Sequence, residues 1–301
     1  MDVSILVPTF SWTEGCEDIY NQLEKEDELV LICDSKSDPL LSDKIPNDVK
    51  ILISGEPENC SGKCNALSKG LEKASREYVI CTDADFRRSE SWLGNVKKSL
   101  EKDNLVTAPN FFQSREFFGK LLEPGYLIGI VLGLYSGSGV WGGLMAFNKN
   151  NAPTTQIIDN LRKTVSDDIL IGKYFKKKTV TSSNFGVVPI EGNISDILNM
   201  SKRFGRSIFL MDPKMLIVPL IGISIYLVAL TSFPFLSLLT PILVAALLYA
   251  KFRIKRWTFL LAPISIFLIS FLTLWGAFHE KIDWNDRKYL WRGKFEVEVL
   301  D

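Results

Sequence analysis

Histidine is all but missing from this 301-residue chain, His279 being the single example, and that scarcity removes most ways of building a zinc centre. Cysteine is thin as well. Cys16, Cys33, Cys60, Cys64 and Cys81 form an odd set with no Cys-x-x-Cys spacing, and Cys33 and Cys81 fall inside apolar runs that read as strands. A disulfide framework is therefore not expected, and free thiols suit a reducing compartment. Net charge is absent, with 35 basic against 35 acidic side chains. No basic stripe tracks phosphates, so nucleic acid is not an expected partner. No GxxxxGK[ST] loop occurs either. The chain opens Met1-Asp2 and runs straight into a strand-like segment without a basic region or cleavage site, so no signal peptide is expected.

What the chain has in excess is apolar surface, with 47% hydrophobic residues and a mean hydropathy of +0.12. The excess is localised. No charged residue occurs from Met215 to Ala250, nor from Trp257 to Phe278, and both runs exceed the roughly 18 residues that mark a membrane span. As one helix the first run, 36 residues, would be about 54 Å long, well beyond a hydrocarbon core of about 30 Å. It should fold as a hairpin turning at Thr231-Ser232-Phe233-Pro234. The expected membrane helices are about 214–231, 235–250 and 257–278, with a polar tail over 279–301. A full third crossing would carry that tail to the far side, whereas Pro263 would allow a kinked or re-entrant segment. Basic residues Lys202, Arg203 and Arg206 before the first run, and Lys251, Arg253, Lys255 and Arg256 between the two, place both clusters in the cytoplasm by the positive-inside rule. An integral membrane protein of the cell membrane with a cytoplasmic N-terminal part is expected. Residues 117–135 are apolar but broken by Lys120, Glu123 and Pro124. They should lie flat in the headgroup region, pack on the membrane hairpin, or form an ordinary core helix.

Residues 1–212 carry 25 basic and 29 acidic side chains and read as a water-exposed domain. Val3–Val7, Leu29–Cys33, Lys50–Ile53 and Tyr78–Cys81 are short β-rich runs of the kind that form buried parallel strands. Helix-length segments follow at roughly 14–26 and 62–76. This alternation implies an α/β sheet with right-handed crossovers, whose ligands collect at the carboxyl ends of the strands. Those ends read Pro8-Thr9-Phe10, Asp34-Ser-Lys-Ser-Asp38 and Thr82-Asp83-Ala84-Asp85. Asp83 and Asp85, at alternate positions, would repel unless a cation lay between them, and hard oxygen ligands favour Mg²⁺ or Mn²⁺. Lys63 opens a helix whose N-terminus attracts anions. Ser166-Asp167-Asp168 opens another, where serine can cap and the aspartates complement the helix dipole, or where one carboxylate can serve as a base for an acceptor hydroxyl.

Taken in order, Pro8-Thr-Phe, Asp34-Ser-Lys-Ser-Asp38, Gly62-Lys-Cys-Asn-Ala-Leu, Asp83-Ala-Asp85, Gly142-Gly-Leu-Met-Ala-Phe147, Asp167-Asp168 and Arg203-Phe204 resemble the inverting family 2 glycosyltransferases of GT-A fold. The apolar segments and the ending His279 to Gly293 are similar to the ceramide glucosyltransferase-like branch. The resemblance implies a GT-A catalytic domain, a Rossmann-like mixed sheet over residues 1–212, followed by a C-terminal transmembrane helical region. It implies that Asp168 is the catalytic base and that Pro8, Asp34, Lys63, Asp83, Asp167, Arg203 and Phe204 bind the nucleotide-sugar, with Asp85 and Asp83 holding Mg²⁺ or Mn²⁺. Met200 and Phe204 stand where that family's (Gln/Arg)xxArgTrp element has a polar residue and a tryptophan, and a register shifted to Arg206 is an alternative. The expected activity is sugar transfer from a nucleotide-sugar, a UDP-sugar, to a lipid hydroxyl. The alternatives are a polyprenyl-phosphate sugar synthase or a catalytically silent membrane scaffold.

Overall fold

The structure, a computed structural model, describes residues 1–100, 105–136, 139–284 and 287–300. In chain order it contains β1 (Val3–Pro8), α1 (Glu14–Tyr20), β2 (Glu28–Cys33), β3 (Lys50–Ile53), α2 (Gly62–Lys73), β4 (Tyr78–Cys81), α3 (Trp92–Leu100), β5 (Leu105–Thr107), β6 (Asn110–Ser114), α4 (Phe117–Tyr135) and β7 (Met145–Asn148). There follow α5 (Thr154–Leu161), α6 (Asp167–Lys173), β8 (Lys178–Val180), β9 (Gly186–Ile190), α7 (Ile194–Met211), α8 (Ile217–Ser232), α9 (Pro234–Lys251), α10 (Ala262–Ala277), β10 (Lys281–Trp284), β11 (Arg287–Gly293) and β12 (Glu296–Leu300).

Seven strands form one sheet in the order β3-β2-β1-β4-β7-β5-β8, parallel from β3 to β4, with β7 antiparallel to both its neighbours. The architecture is mixed α/β with a parallel-rich centre. Strand alternation divides the core cleanly. Leu6, Val30, Ile32, Val79 and Cys81 point to one face, with α2, α5 and α6. Val3, Ile5, Val7, Leu31 and Ile80 point to the other, with α1 and α3. Both faces being covered, the central strands read as continuous apolar runs, and this is why the sequence exposes them. Chain order reverses between β1 and β4, which opens a crevice at their carboxyl ends. The first helix stops at Tyr20, short of the expected residue 26, because Lys97 gathers Glu24 and Asp27 at 2.6 and 2.9 Å and turns the chain into β2.

Two further segments take definite form, the helix over 117–135 in the packed form that is among those expected. Residues 117–135 make one continuous helix through Pro124, packed on β6 and α10. Glu123 does not break it, because the carboxylate is buried and accepts hydrogen bonds from Arg256 Nε at 3.0 Å and Thr258 Oγ1 at 2.7 Å. The tail is not a loose polar segment. Strands β10, β11 and β12 form an antiparallel sheet whose Ile282, Tyr289, Trp291 and Val297 enter the main core. The 5 cysteines are all buried and free.

The long apolar runs form the expected helices, α8 and α9 meeting at Phe233. Among the described residues four helices could cross a membrane by length and composition: Phe117–Tyr135, Pro213–Ser232, Pro234–Lys251 and Trp257–Ala277. They differ in surroundings. No described residue of α8 is fully buried, although the helix packs along α9 and α10, whereas α10 is pressed onto α4 and α7 as well, with Gly125 against Ser265 and Gly205 against Thr273. Its other side exposes Leu260, Ile264, Phe267, Phe271 and Phe278, a stripe at helical spacing.

Candidate active site

The crevice at the β1/β4 switch gathers side chains from six elements: β1, β2, β4, α2, α6 and α7. β1 ends in Pro8 and β2 delivers Asp34 just beyond its last residue, as Pro8 pairs with Ile32 across the ladder. β4 runs into Thr82-Asp83-Ala84-Asp85. Ser61 caps α2, its hydroxyl accepting from Cys64 N, and this sets Lys63 in the first turn facing the carboxylates. Lys63 Nζ reaches Asp83 Oδ1 at 2.7 Å and Asp167 Oδ2 at 2.9 Å, with its side chain 14% exposed. Burial alone would favour the neutral amine, but Asp167 and Asp83 outweigh it and push the ammonium upward. Asp167 is buried, and desolvation raises its carboxyl to about 6 even against the pull of Lys63.

The approach of the chain at Gly142 makes this bridge possible. A Cβ there would lie 2.8 Å from Lys63 Nζ and 3.2 Å from Asp167 Oδ2, so no side chain fits without displacing the lysine. Thr82 Oγ1 donates to Gly143 O at 2.7 Å, fastening the glycine segment to the β4 exit. Arg88 braces the same exit. Its guanidinium lies 3.8 Å from the Phe86 ring centroid and donates to Thr82 Oγ1 at 2.9 Å and to Asp83 O. Burial lowers its pKa to about 10. Arg88 carries no signal in the sequence, because its role depends on the loop closing on itself.

Asp168 begins α6 with Asp167. The Ser166 hydroxyl does not cap the helix but donates to Asp168 Oδ1 at 2.7 Å, which leaves Oδ2 as the oxygen available for a proton. Arg203, on α7, feels Asp168, Asp167, Asp83 and Asp85. Their charges oppose the desolvation that lowers its pKa, so the guanidinium lies within electrostatic reach of the four carboxylates. Arg206 points elsewhere, donating to Trp291 O and Arg292 O at 2.9 Å and Ala277 O at 3.2 Å, and anchors the tail. Phe204 turns into an apolar cluster with Phe112 and Tyr126, ring centroids 6.2 and 6.3 Å away. Its packing thus differs from that of Lys63, Asp83, Asp167, Asp168 and Arg203, which the fold brings together.

Asp34 lies one residue-width away, against Gly62, and the tail meets it: Arg287 Nη1 is 2.5 Å from Asp34 Oδ2 and Nη2 is 2.5 Å from Glu56 Oε2. Asp85 is exposed at the rim. Among the described residues no group of three or more histidine, cysteine or acidic side chains is arranged to hold a metal. Asp85 and Asp83 alone supply hard oxygen donors, a set that suits a Mg²⁺ or Mn²⁺ ion completed by waters and substrate phosphates. One cationic clamp and one acidic wall, Asp168 among it, can stabilise a departing diphosphate while a carboxylate accepts a proton.

Residues 5–164, more than half of the chain, match the family described as glycosyl transferase family 2. Among solved structures, TarS 1–349 of S. aureus is 14% identical with a TM-score of 0.43 and covers 100% of this chain and 99% of its own. The same protein in complex with UDP-GlcNAc gives 12% and 0.44 over 100% and 99%. Glucosyl-3-phosphoglycerate synthase from Mycobacterium tuberculosis, in complex with Mn²⁺, UDP-glucose and phosphoglyceric acid, gives 15% and 0.34 over 50% and 57%. No curated protein matches the sequence.

Proposed function

The chain belongs to glycosyl transferase family 2 and is a nucleotide-sugar-utilising glycosyltransferase, and from that premise we propose that it works at a membrane, moving a sugar from a UDP-sugar to a lipid hydroxyl with inversion, as a ceramide glucosyltransferase-like enzyme does. The observation that carries the proposal is the continuity of α7. The helix that carries Arg203 within electrostatic reach of the four carboxylates ends at Met211, and the largely open apolar hairpin α8–α9 begins at Ile217. An amphiphile held beside that hairpin can present its hydroxyl to the site without leaving the interface.

The packing supports one arrangement of the membrane segments. α10 is fixed at both ends to the catalytic domain, through Arg256 and Thr258 on Glu123 and through Arg206 on Ala277 O. The tail beyond it is built into the same domain. A third crossing is incompatible with that return, so α8–α9 enters and leaves the bilayer while α10 lies in its plane, stripe toward lipid. Arg203, Arg206 and Arg256 are engaged within the fold, so the cytoplasmic placement of the domain rests on Lys251, Arg253 and Lys255.

In the reaction Asp168 Oδ2 takes the proton from the acceptor hydroxyl as its oxygen attacks the anomeric carbon from the side opposite the nucleotide. Lys63 and Arg203 meet the charge that develops on the leaving diphosphate. Asp34 and the β1 end at Pro8 hold the nucleoside. Mg²⁺ or Mn²⁺ on Asp85 and Asp83 supplies Lewis-acid stabilisation of the diphosphate when bound. Asp168→Asn tests the acceptor: turnover should fall by about 10²–10⁴-fold with donor KM little changed. Near-normal turnover would point instead to a phosphate acceptor, which needs little base catalysis.

A further inference from the structure

The tail sheet touches the site at three points. Trp284, the last residue of β10, lies under the Arg203 guanidinium, 4.5 Å from ring centroid to Cζ. Arg287, the first of β11, bridges Asp34 and Glu56. Tyr289 accepts a hydrogen bond at its hydroxyl from Gly62 N, 3.3 Å away, the amide that opens α2. The Arg287 and Tyr289 contacts join residues more than two hundred positions apart. Gly62 is fitted to the arrangement: a Cβ there would lie 2.7 Å from Arg287 Nη1 and 3.4 Å from Asp34 Oδ2, so the missing side chain is what lets the guanidinium reach the carboxylate.

The sheet is also held firmly enough to position anything. Tyr289 and Trp291 are almost fully buried, and Arg206 donates to the carbonyls of Trp291 and Arg292. An arginine needed merely to fasten a tail would be expected among such buried contacts. Arg287 instead projects to the crevice, where it neutralises a carboxylate next to the α2 N-terminus.

We propose that β10 and β11 form a wall of the donor site, in which Arg287 positions the Asp34 carboxylate for the nucleoside of a nucleoside diphosphate and Trp284 positions Arg203 toward its diphosphate. Trp284 thereby gives the Arg203 guanidinium a second aromatic face at 4.5 Å, nearer than that of Phe204 at 5.3 Å. Arg287 and Trp284 are positioning residues acting through Asp34 and Arg203, and the proposal rests on the donor roles given to those two residues.

The test uses the full chain in lipid nanodiscs and UDP as the probe. Arg287→Ala should weaken UDP binding about tenfold or more by calorimetry and raise donor KM, leaving kcat within about threefold. Arg287→Lys should recover part of the loss and serves if the alanine variant does not fold. In a cycle with Asp34→Asn the double variant should bind no worse than the weaker single one, because the two residues act as a unit. With the unaltered protein, UDP should slow hydrogen exchange over residues 281–293. Unchanged UDP affinity in both Arg287 variants, additive losses in the cycle, or exchange unaffected by UDP would each overturn the proposal. Should Asp34→Asn itself bind UDP normally, the fault would lie in the role of Asp34, and the exchange result would then decide for the tail.

Discussion

Replacing Lys63 by methionine keeps the length and apolar stem of the side chain while removing the charge that separates Asp83 from Asp167. Breaking a buried ion pair from one side costs about 3–5 kcal/mol, and with Lys63 slightly open to solvent the low end, about 3 kcal/mol, applies. The loss should depend on pH in a definite sense. Desolvation already lifts Asp167 to about 6 with the lysine present, so its removal lifts the carboxyl further. Below that value Asp167 is protonated in both folded proteins and the difference between them is small. Above it the normal protein carries a carboxylate matched by Lys63, whereas the variant must retain a proton or bury an unmatched charge. The gap should therefore widen by up to about 1.4 kcal/mol per pH unit until the variant's carboxyl ionises. Thermal unfolding followed by tryptophan fluorescence, in chelator-treated buffer, should show a Tm lower by about 6 °C near pH 8 and by much less near pH 5.5. Turnover should fall by about 10²–10³-fold, because the clamp on the leaving diphosphate loses one of its two side-chain cations. An equal Tm loss at both pH values, or a variant as stable as the parent near pH 8, would refute the claim that Lys63 compensates buried carboxylates.

Gly142→Ala should act as a milder form of the same loss, because its Cβ fits only if Lys63 Nζ moves from Asp167: Tm should fall by less than in the lysine variant while most activity goes, as donor KM and Tm measured together would check. Glu28 tests the scaffold alone. Burial would raise its carboxyl, but Lys50, Ser4 and Ser75 outweigh it and hold it at about 2. A depressed carboxyl gives stability that is full above the ordinary carboxylate range and is lost as pH falls through about 2. Glu28→Gln should cost about 2 kcal/mol near neutral pH, with the gap closing in acid, as denaturant titrations at both ends of that range would register.

Much of the scaffold and part of the site are legible in the sequence, for a common reason. Strands β1, β2 and β4 are covered on both faces and so appear as unbroken apolar runs, whereas the edge strand β3 leaves Ile51 and Ile53 exposed instead of buried as expected; the carboxyl ends are read off directly as Pro8, Asp34 and Asp83. The hairpin α8–α9 shows itself because lipid-length runs without charge have few other uses. What escapes the sequence is what depends on distant partners. Glu123 looks like a break in an apolar helix until Arg256 and Thr258, more than a hundred residues later, are seen to satisfy it. Tail residues 281–300 look polar because charges occupy alternate positions. The other alternates, Ile282, Tyr289, Trp291 and Val297, are the signal of a half-buried sheet that composition alone hides. Ser166 reads as a helix cap from its position, yet Asp168 lies within reach and takes its hydroxyl. The coupling of Lys63 to both Asp83 and Asp167 has no local trace, since helix capping and dipole effects explain each residue separately.

The most direct test of a sugar transfer to lipid is made with the membrane-embedded protein, a panel of labelled sugar nucleotides, Mg²⁺ or Mn²⁺, and a total lipid extract. The label should move into an organic-extractable glycolipid with inverted anomeric configuration, and chelator should abolish the transfer. Transfer to water-soluble acceptors alone, with the lipid fraction unlabelled, would contradict the account.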